Sequence, residues 1–153
     1  MRRSTLLPLL LVAFLSACSS SDDPTGPGQQ GGTFTATVDG AAWNGQLTGA
    51  VNNGFTFALE GTANGVEISL SVNLSQNVVP GTVDLTTGST GAQVVEGGEI
   101  WYAVGQGGSG TLTIQTLTTT GATGTFEFVA GPVANSASGG TRSVTNGQFD
   151  VTF

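Results

Sequence analysis

The chain has 153 residues, enough for one domain, and its charged residues are three Lys plus Arg against ten Asp plus Glu. It contains no His and one Cys, so neither a Ser-His-Asp nor a Cys-His catalytic arrangement is available, and the usual nitrogen and sulfur zinc sites are excluded. A net charge of −7 opposes contact with phosphate backbones, so we expect no nucleic-acid partner.

The first residues have the layout of a secretory signal peptide. Arg2-Arg3 precede an apolar run, Leu6–Leu15, which is shorter than the roughly 20 residues that span a bilayer. The run ends in Leu15-Ser16-Ala17-Cys18, which resembles the lipobox of bacterial lipoproteins at all four positions. The resemblance implies cleavage of residues 1–17 and lipid modification of Cys18, which would anchor the chain in a membrane.

Residues 18–32 are predicted to be the lipidated Cys18 and a disordered linker. After the cysteine the segment contains only Ser, Asp, Pro, Gly, Thr and Gln, with no apolar side chain able to pack. Ser19 stands where an Asp is typical of inner-membrane retention, so the resemblance implies the outer membrane, on its periplasmic or surface face. Without residues 1–17 the one cation is Arg142, so we expect no attraction to anionic lipid and a domain that stands off the membrane.

Residues 33–153 are predicted to form a single all-β domain. Apolar and polar residues alternate, and Asp39-Gly40 and Asn64-Gly65 are typical two-residue hairpin turns. They indicate a four-strand antiparallel meander over residues 33–74. Further strands bring the total to about eight to ten, enough for a barrel or a sandwich.

The connection between the first two hairpins decides which side chains face inward. A three-residue loop, Asn52-Asn53-Gly54, would place Val51 opposite Phe55 with both on the apolar face. A shift of one residue would turn the whole strand inside out. The sequence therefore predicts the three-residue loop, with Val51 and Phe55 inside.

A last hairpin is predicted around Asn146-Gly147, with strands over residues 142–145 and 148–153. This pairing places Arg142 opposite Val151, on the apolar face near its end. Arg142 would then neutralise an anionic ligand inside a barrel. The alternative is an arginine at the rim that reaches a nearby carboxylate.

Two stretches, FTATVDGAAWNG and GTFEFVAG…VTNGQFDVTF, carry a second resemblance. They resemble a family of small bacterial lipoproteins that open with Phe-x-Ala-x-Val-Asp-Gly-x-x-Trp and close with a Thr-Asn-Gly-x-Phe hairpin. The resemblance implies the anchor and the fold, and it brings no catalytic residue or ligand. An early Trp43 and a late Arg142 are also similar in arrangement to lipocalins, although the spacing Gly40-x-x-Trp43 differs from theirs.

Carboxylates are the remaining candidates for catalysis, because pairs of them support glycoside hydrolysis. The alternative is that they lie on solvated outer faces, and we expect no enzyme. The candidates are Glu60, Glu67, Asp84, Glu96, Glu99, Glu127 and Asp150.

A calcium site is the one cofactor that the sequence suggests. Glu96 and Glu99 flank Gly97-Gly98, a bend that could present both carboxylates to Ca²⁺, which prefers oxygen ligands. The chain has no Asp-x-Asp-x-Asp-Gly loop, so an ordinary acidic turn is the alternative.

Trp101 is the aromatic side chain considered for ligand binding. If the alternate residues Ile100, Tyr102 and Val104 form the core face, Trp101 is exposed beside Glu99 and could stack on a sugar or a peptide. Otherwise a loop covers Trp101, or the core lies on its side of the strand. Glu99, Trp101 and Arg142 are therefore the candidate ligand-binding residues.

Together these features predict a non-enzymatic lipoprotein of the outer membrane. Its domain would bind a carbohydrate, a peptide or a small apolar ligand, or support an envelope assembly through a protein partner. The alternatives are a carboxylate-dependent glycoside hydrolase and a small membrane-spanning β-barrel, because the closing FDVTF alternates as the last strand of such barrels does.

Overall fold

The computed structural model describes residues 30–134 and 138–153, so the predicted signal peptide and Cys18 lie outside the described residues. Within these ranges the chain is all-β, as predicted, and no helix is long and apolar enough to cross a membrane. The strands are β1 (Gly31–Val38), β2 (Ala41–Asn52), β3 (Thr56–Ala63), β4 (Val66–Asn73), β5 (Gly81–Asp84), β6 (Thr90–Glu96), β7 (Glu99–Tyr102), β8 (Ser109–Leu117), β9 (Gly121–Pro132) and β10 (Arg142–Thr152). β1 begins at Gly31, two residues before the predicted start of the domain at residue 33.

Eight antiparallel strands close into a barrel in the order β1-β2-β3-β4-β6-β7-β9-β10, and β10 pairs back to β1. β8 extends the sheet from β9, and β5 pairs with β8. Of the two architectures that the sequence left open, the barrel is the one found. Its shortest ladder joins β7 to β9 through two residue pairs, Trp101 with Pro132 and Tyr102 with Gly131.

The barrel interior is filled by aromatic and branched side chains. Phe34 lies among them, with its ring centroid 5.2 Å from that of Trp43 and 5.4 Å from that of Phe126. Phe57 packs against Phe149 at 5.7 Å. Because the single Cys of the sequence leaves no partner for an internal disulfide, this apolar burial is the main source of stability.

Both predicted two-residue turns are confirmed. Asp39 and Asn64 have positive φ angles of 48° and 54°, which a type I′ hairpin turn requires and which Asp and Asn tolerate. The pairs across the turns are Val38 with Ala41 and Ala63 with Val66. The local sequence was therefore sufficient to set the register of these two hairpins.

The predicted loop between β2 and β3 is wrong. The β2–β3 register shifts between Leu47 and Gly49, and this bulge reverses the inward and outward faces of β2. Ala50 is therefore buried, whereas Val51 is 44% exposed and Phe55 is 72% exposed. An extra residue in one strand breaks the period-two pattern from which the loop was inferred.

The predicted last hairpin is also wrong. β10 runs without a turn from Arg142 to Thr152, and Asn146, with a φ angle of 52°, lies in a bulge within it. β10 pairs with β1 on one side and β9 on the other, so two ladders keep the strand extended through the bulge. Arg142 consequently pairs with Ala130 of β9 and not with Val151.

The two ends of the barrel differ in character. The charged end comprises the turns at residues 39–40, 64–65 and 97–98 and the first residue of β10. The tether end comprises Gln30 and the loops at residues 53–55, 74–80 and 118–120. Hydrogen bonds join these loops: Asn52 Nδ2 donates to the carbonyl of Thr118 at 2.8 Å, and the Leu74 N–H donates to the carbonyl of Phe55 at 2.8 Å.

Candidate functional site

Arg142 is the centre of an ionic cluster at the charged end. Its Nη1 donates to Asp39 Oδ2 at 3.0 Å, and its Nη2 contacts Glu96 Oε2. Its Cζ atom lies 4.4 Å from the ring centroid of Trp101, within the range of a cation–π interaction. Arg142, at the start of β10, thereby contacts three other elements: the β1–β2 turn, the end of β6, and β7.

The hairpin turn and the neighbouring strand hold Asp39 in place. The Asp39 N–H donates to the carbonyl of Ser143 at 2.8 Å, and the Ser143 N–H donates to Asp39 Oδ1 at 2.8 Å. One carboxylate oxygen therefore binds backbone while the other binds Arg142. This arrangement fixes the orientation of the carboxylate.

Glu96 and Glu99 pair across the Gly97-Gly98 turn, where both glycines have positive φ. The carboxylate of Glu96 contacts Arg142. Within residues 30–134 and 138–153, no three His, Cys, Asp or Glu side chains are grouped so that they could hold a metal ion. Calcium binding by these two residues stays a prediction.

Of the arrangements considered for Trp101, the structure has the covered one and not the exposed platform. Trp101 is 2% exposed, because its face of β7 is the core face, and Ala103, which follows the strand, is buried as well. A following segment also covers it: Trp101 Nε1 donates to the carbonyl of Gly139 at 3.3 Å, and Ser138 Oγ donates to the carbonyl of Ile100 at 2.9 Å. The buried ring of Trp101 thus packs against the guanidinium of Arg142 and is not itself accessible to a ligand.

A depression of about 300 Å³ opens beside Arg142. Its polar lining comes from Asp39, Asn64, Glu96 and Arg142, and its apolar wall from Val38, Ala41, Ala42, Trp43 and Val66. The indole of Trp43 is fixed by a 3.0 Å hydrogen bond from its Nε1 to the carbonyl of Val66. The depression therefore offers carboxylate acceptors, guanidinium donors and an apolar surface within one small volume.

The two ion pairs are partly exposed, so each contributes only about 0.2–1 kcal/mol to folding. The Nε–H of Arg142 is buried and has no hydrogen-bond partner in the part of the chain that the structure describes. The ion pairs of the cluster are therefore weak, and the positions of its side chains depend mainly on the backbone that holds them. Its polar groups remain partly exposed to solvent.

The other candidate carboxylates lie apart from this depression. Glu60 Oε1 accepts a hydrogen bond from Thr48 Oγ1 at 3.2 Å on the outer face, and Glu127 and Asp150 are exposed. Hydrogen bonds from the hydroxyl and then the N–H of Thr86 lower the pKa of the Asp84 carboxyl. Of the seven predicted candidates, Glu96 alone lines the depression.

Sequence reasoning missed the roles of Asp39 and Asn64, which were interpreted only as turn residues. The one signal in the sequence for their roles was that the turns at Asp39-Gly40 and Asn64-Gly65 would lie near Arg142 if the strands closed into a barrel. Trp43 and Arg142 both line the depression. The ring that Arg142 covers is nevertheless that of Trp101.

Comparison with known proteins adds no further guide to the site. No protein-family model matches the chain, and no curated protein or solved structure matches it at a significant level. The interpretation of the depression therefore depends on its own residues and their geometry.

Proposed function

We propose that the chain is a lipoprotein anchored through Cys18 in the outer membrane, with a non-enzymatic barrel domain that binds a small carbohydrate at the charged end. The observation that carries this proposal is that the depression and the start of the described chain lie at opposite ends of the barrel. The described chain starts at Gln30 on the tether end, whereas the depression at Arg142 opens on the other end. A lipid at Cys18 would therefore leave the depression facing away from the bilayer.

The lining of the depression favours a carbohydrate over an apolar ligand or a nucleic acid. Sugar hydroxyls donate to carboxylates and accept from guanidinium groups, and Asp39, Glu96 and Arg142 supply both functions. The apolar wall beside them suits the C–H face of a sugar ring. Specific small-molecule sites commonly combine such a wall with a few fixed polar groups.

The arrangement gives less support to glycoside hydrolysis. Asp39 and Glu96 are both ion-paired with one guanidinium, whereas hydrolysis requires a carboxyl group that can deliver a proton. It also gives less support to a membrane-spanning barrel, whose outer surface must be apolar. Here the side chains of Glu60, Glu127 and Asp150 are exposed on the strands.

The anchor is tested by metabolic labelling with a radioactive fatty acid, followed by membrane fractionation. The native protein is expected to carry the label and to sediment with the outer membrane. Cys18→Ser should lose both properties, whereas Ser19→Ala, next to the lipidation site, should keep the label. An unlabelled native protein, or an unchanged location for Cys18→Ser, would refute the anchor.

The binding site is tested by applying the lipidated protein in detergent to a glycan array. Retention on a subset of glycans is expected. Asp39→Asn and Glu96→Gln should each weaken it at least tenfold, while Glu127→Gln, a distant exposed carboxylate, should not change it. Absence of retention, or retention that ignores the Asp39 and Glu96 substitutions, would reject the depression as a carbohydrate site.

A further inference from the structure

The large exposed apolar side chains of the described residues are concentrated at the tether end. Val78 is 87% exposed, Phe55 72% and Val51 44%, and all three lie in or beside the loops of this end. The remaining large exposed apolar residue, Val104, follows β7 on the side of the barrel. Exposed apolar groups that gather on one end of a domain are typical of an interaction surface.

The three loops that define this end contain no charged residue, and the nearest carboxylates, those of Asp84 and Asp150, belong to the strands beside them. The loops at residues 53–55, 74–80 and 118–120 read NGF, LSQNVVP and TTT, without Asp, Glu, Lys or Arg. The charged end, by contrast, carries Asp39, Glu96, Glu99 and Arg142. The tether end is therefore the part of this acidic domain that loses least hydration energy on contact with an apolar phase.

The predicted anchor leads to this end. Gln30 is fixed to β2 by two hydrogen bonds: its Nε2 donates to the carbonyl of Ala50 at 2.6 Å, and the Ala50 N–H donates to its Oε1 at 2.7 Å. Val51 is the next residue of that strand. Eleven residues, 19–29, separate Gln30 from Cys18, and a chain of this length reaches about 40 Å when fully extended and roughly 20 Å on average when flexible.

We infer that the tether end rests on the surface of the bilayer, with Phe55 and Val78 in the interfacial region of the lipids. The inference depends on the proposed anchor at Cys18, which keeps these side chains close to the membrane at high effective concentration. It revises the expectation of a domain that stands off the membrane. That expectation considered attraction between charges, whereas contact through Phe55 and Val78 requires no basic residue and favours zwitterionic lipid.

A lipid surface fits this end better than a second copy of the chain. Three side chains in and beside the loops cover much less than the roughly 800 Å² per partner of a stable interface. A bilayer, in contrast, accepts separate apolar side chains at different positions. Gln30, from which the chain leads back to Cys18, also lies next to Val51, so the tether end and not the charged end is nearer the anchor.

The test uses the lipidated full-length protein, in which the thiol of Cys18 is blocked by lipid and an introduced cysteine is the only reactive one. Phe55→Cys and Val78→Cys report on the tether end, and Ala42→Cys, an exposed position at the charged end, is the matched control. Each is labelled with an environment-sensitive fluorophore and reconstituted in phosphatidylcholine vesicles that contain a spin-labelled lipid quencher. Quenching is expected to be at least threefold greater at positions 55 and 78 than at position 42.

Each other outcome contradicts a separate claim. Equal, weak quenching at all three positions, with the protein still floating with the vesicles, would overturn the orientation and leave the anchor intact. Failure of the protein to float would overturn the anchor itself. Shielding at position 55 that persists in detergent and increases with protein concentration would assign the surface to a second copy and overturn the lipid contact. Equal thermal stability of the three variants verifies that labelling leaves the fold unchanged.

Discussion

The guanidinium of Arg142 covers the buried ring of Trp101, with 4.4 Å between Cζ and the ring centroid. Trp101 belongs to β7, and the ladder from β7 to β9 has only two residue pairs. Arg142, in β10 on the other side of β9, thus adds a side-chain connection next to the shortest ladder of the barrel. The same residue lines the depression, so barrel closure and the candidate site depend on one side chain.

Replacement of Arg142 should destabilise the domain to a degree that depends on the replacing group. Lys keeps the charge but cannot bind two carboxylates and cover a ring at once, so Arg142→Lys should cost about 1 kcal/mol. Arg142→Met should cost about 2 kcal/mol, because both ion pairs and the cation–π contact with Trp101 would be lost. Melting temperatures measured by calorimetry should fall by roughly 4 °C for each kcal/mol. Glu127→Gln is the control, and an Arg142→Met variant as stable as the native protein would contradict the role in closure.

Glycines beneath aromatic rings give a second prediction. A Cβ atom on Gly124 would lie 2.2 Å from the carbonyl oxygen of Thr113 and 2.4 Å from the ring of Phe149. Gly124→Ala should therefore destabilise the fold by about 3 kcal/mol, since neither neighbour can move freely in a packed interior. Gly88 has no neighbour within 4 Å of such an atom, so Gly88→Ala should change stability by less than about 0.5 kcal/mol. Urea denaturation of both variants tests this, and equal midpoints would contradict the close packing at Gly124.

The bulge in β2 predicts opposite consequences for two adjacent residues. Ala50 is 4% exposed and Val51 is 44% exposed. Ala50→Asp would bury an unpaired carboxylate and should cost at least about 3 kcal/mol, whereas Val51→Asp should cost less than about 1 kcal/mol. Chemical denaturation of the two variants makes the comparison. If Val51→Asp were the more destabilising of the two, the result would contradict the bulge and favour the register that the period-two pattern suggested.

The hydrogen bonds from Thr86 predict a specific acid dependence at Asp84. Because they lower the pKa of Asp84 in the folded protein, they favour its ionised form. Their contribution to stability is therefore present above about pH 4 and is lost as the pH falls through the lowered pKa. Thr86→Val removes the hydroxyl donor, so carboxyl NMR titration should show the pKa of Asp84 moving back toward its ordinary value. An unchanged titration in Thr86→Val would mean that the hydroxyl does not act on Asp84.

A matching measurement follows the stability itself. The difference in unfolding midpoint between the native protein and Asp84→Asn should shrink as the pH is lowered from 5 to 2, because the carboxylate then becomes neutral in both the folded and unfolded chains. A difference that stays constant across this range would show that Asp84 contributes through something other than its charge.

The sequence alone determined the features whose causes are local. Asp39-Gly40 and Asn64-Gly65 form turns because their backbone angles depend on the residues themselves. The alternation in β3 and β4 predicted the buried Phe57, Leu59 and Ile68 because successive side chains in a strand point to opposite faces. The all-β class follows from the repetition of these two signals.

Only the tertiary structure decided the features that depend on partners distant in the chain. The bulge after Leu47 and the one at Asn146 arise where a strand must match two neighbours, which no local pattern reports. β7 has a large apolar side chain on each face, Trp101 on one and Ile100 on the other, so the burial of Trp101 depended on which face the barrel enclosed. Arg142 and Asp39 are 103 positions apart and meet only because β10 closes the barrel against β1, and for this physical reason the ionic cluster could not be inferred from the sequence.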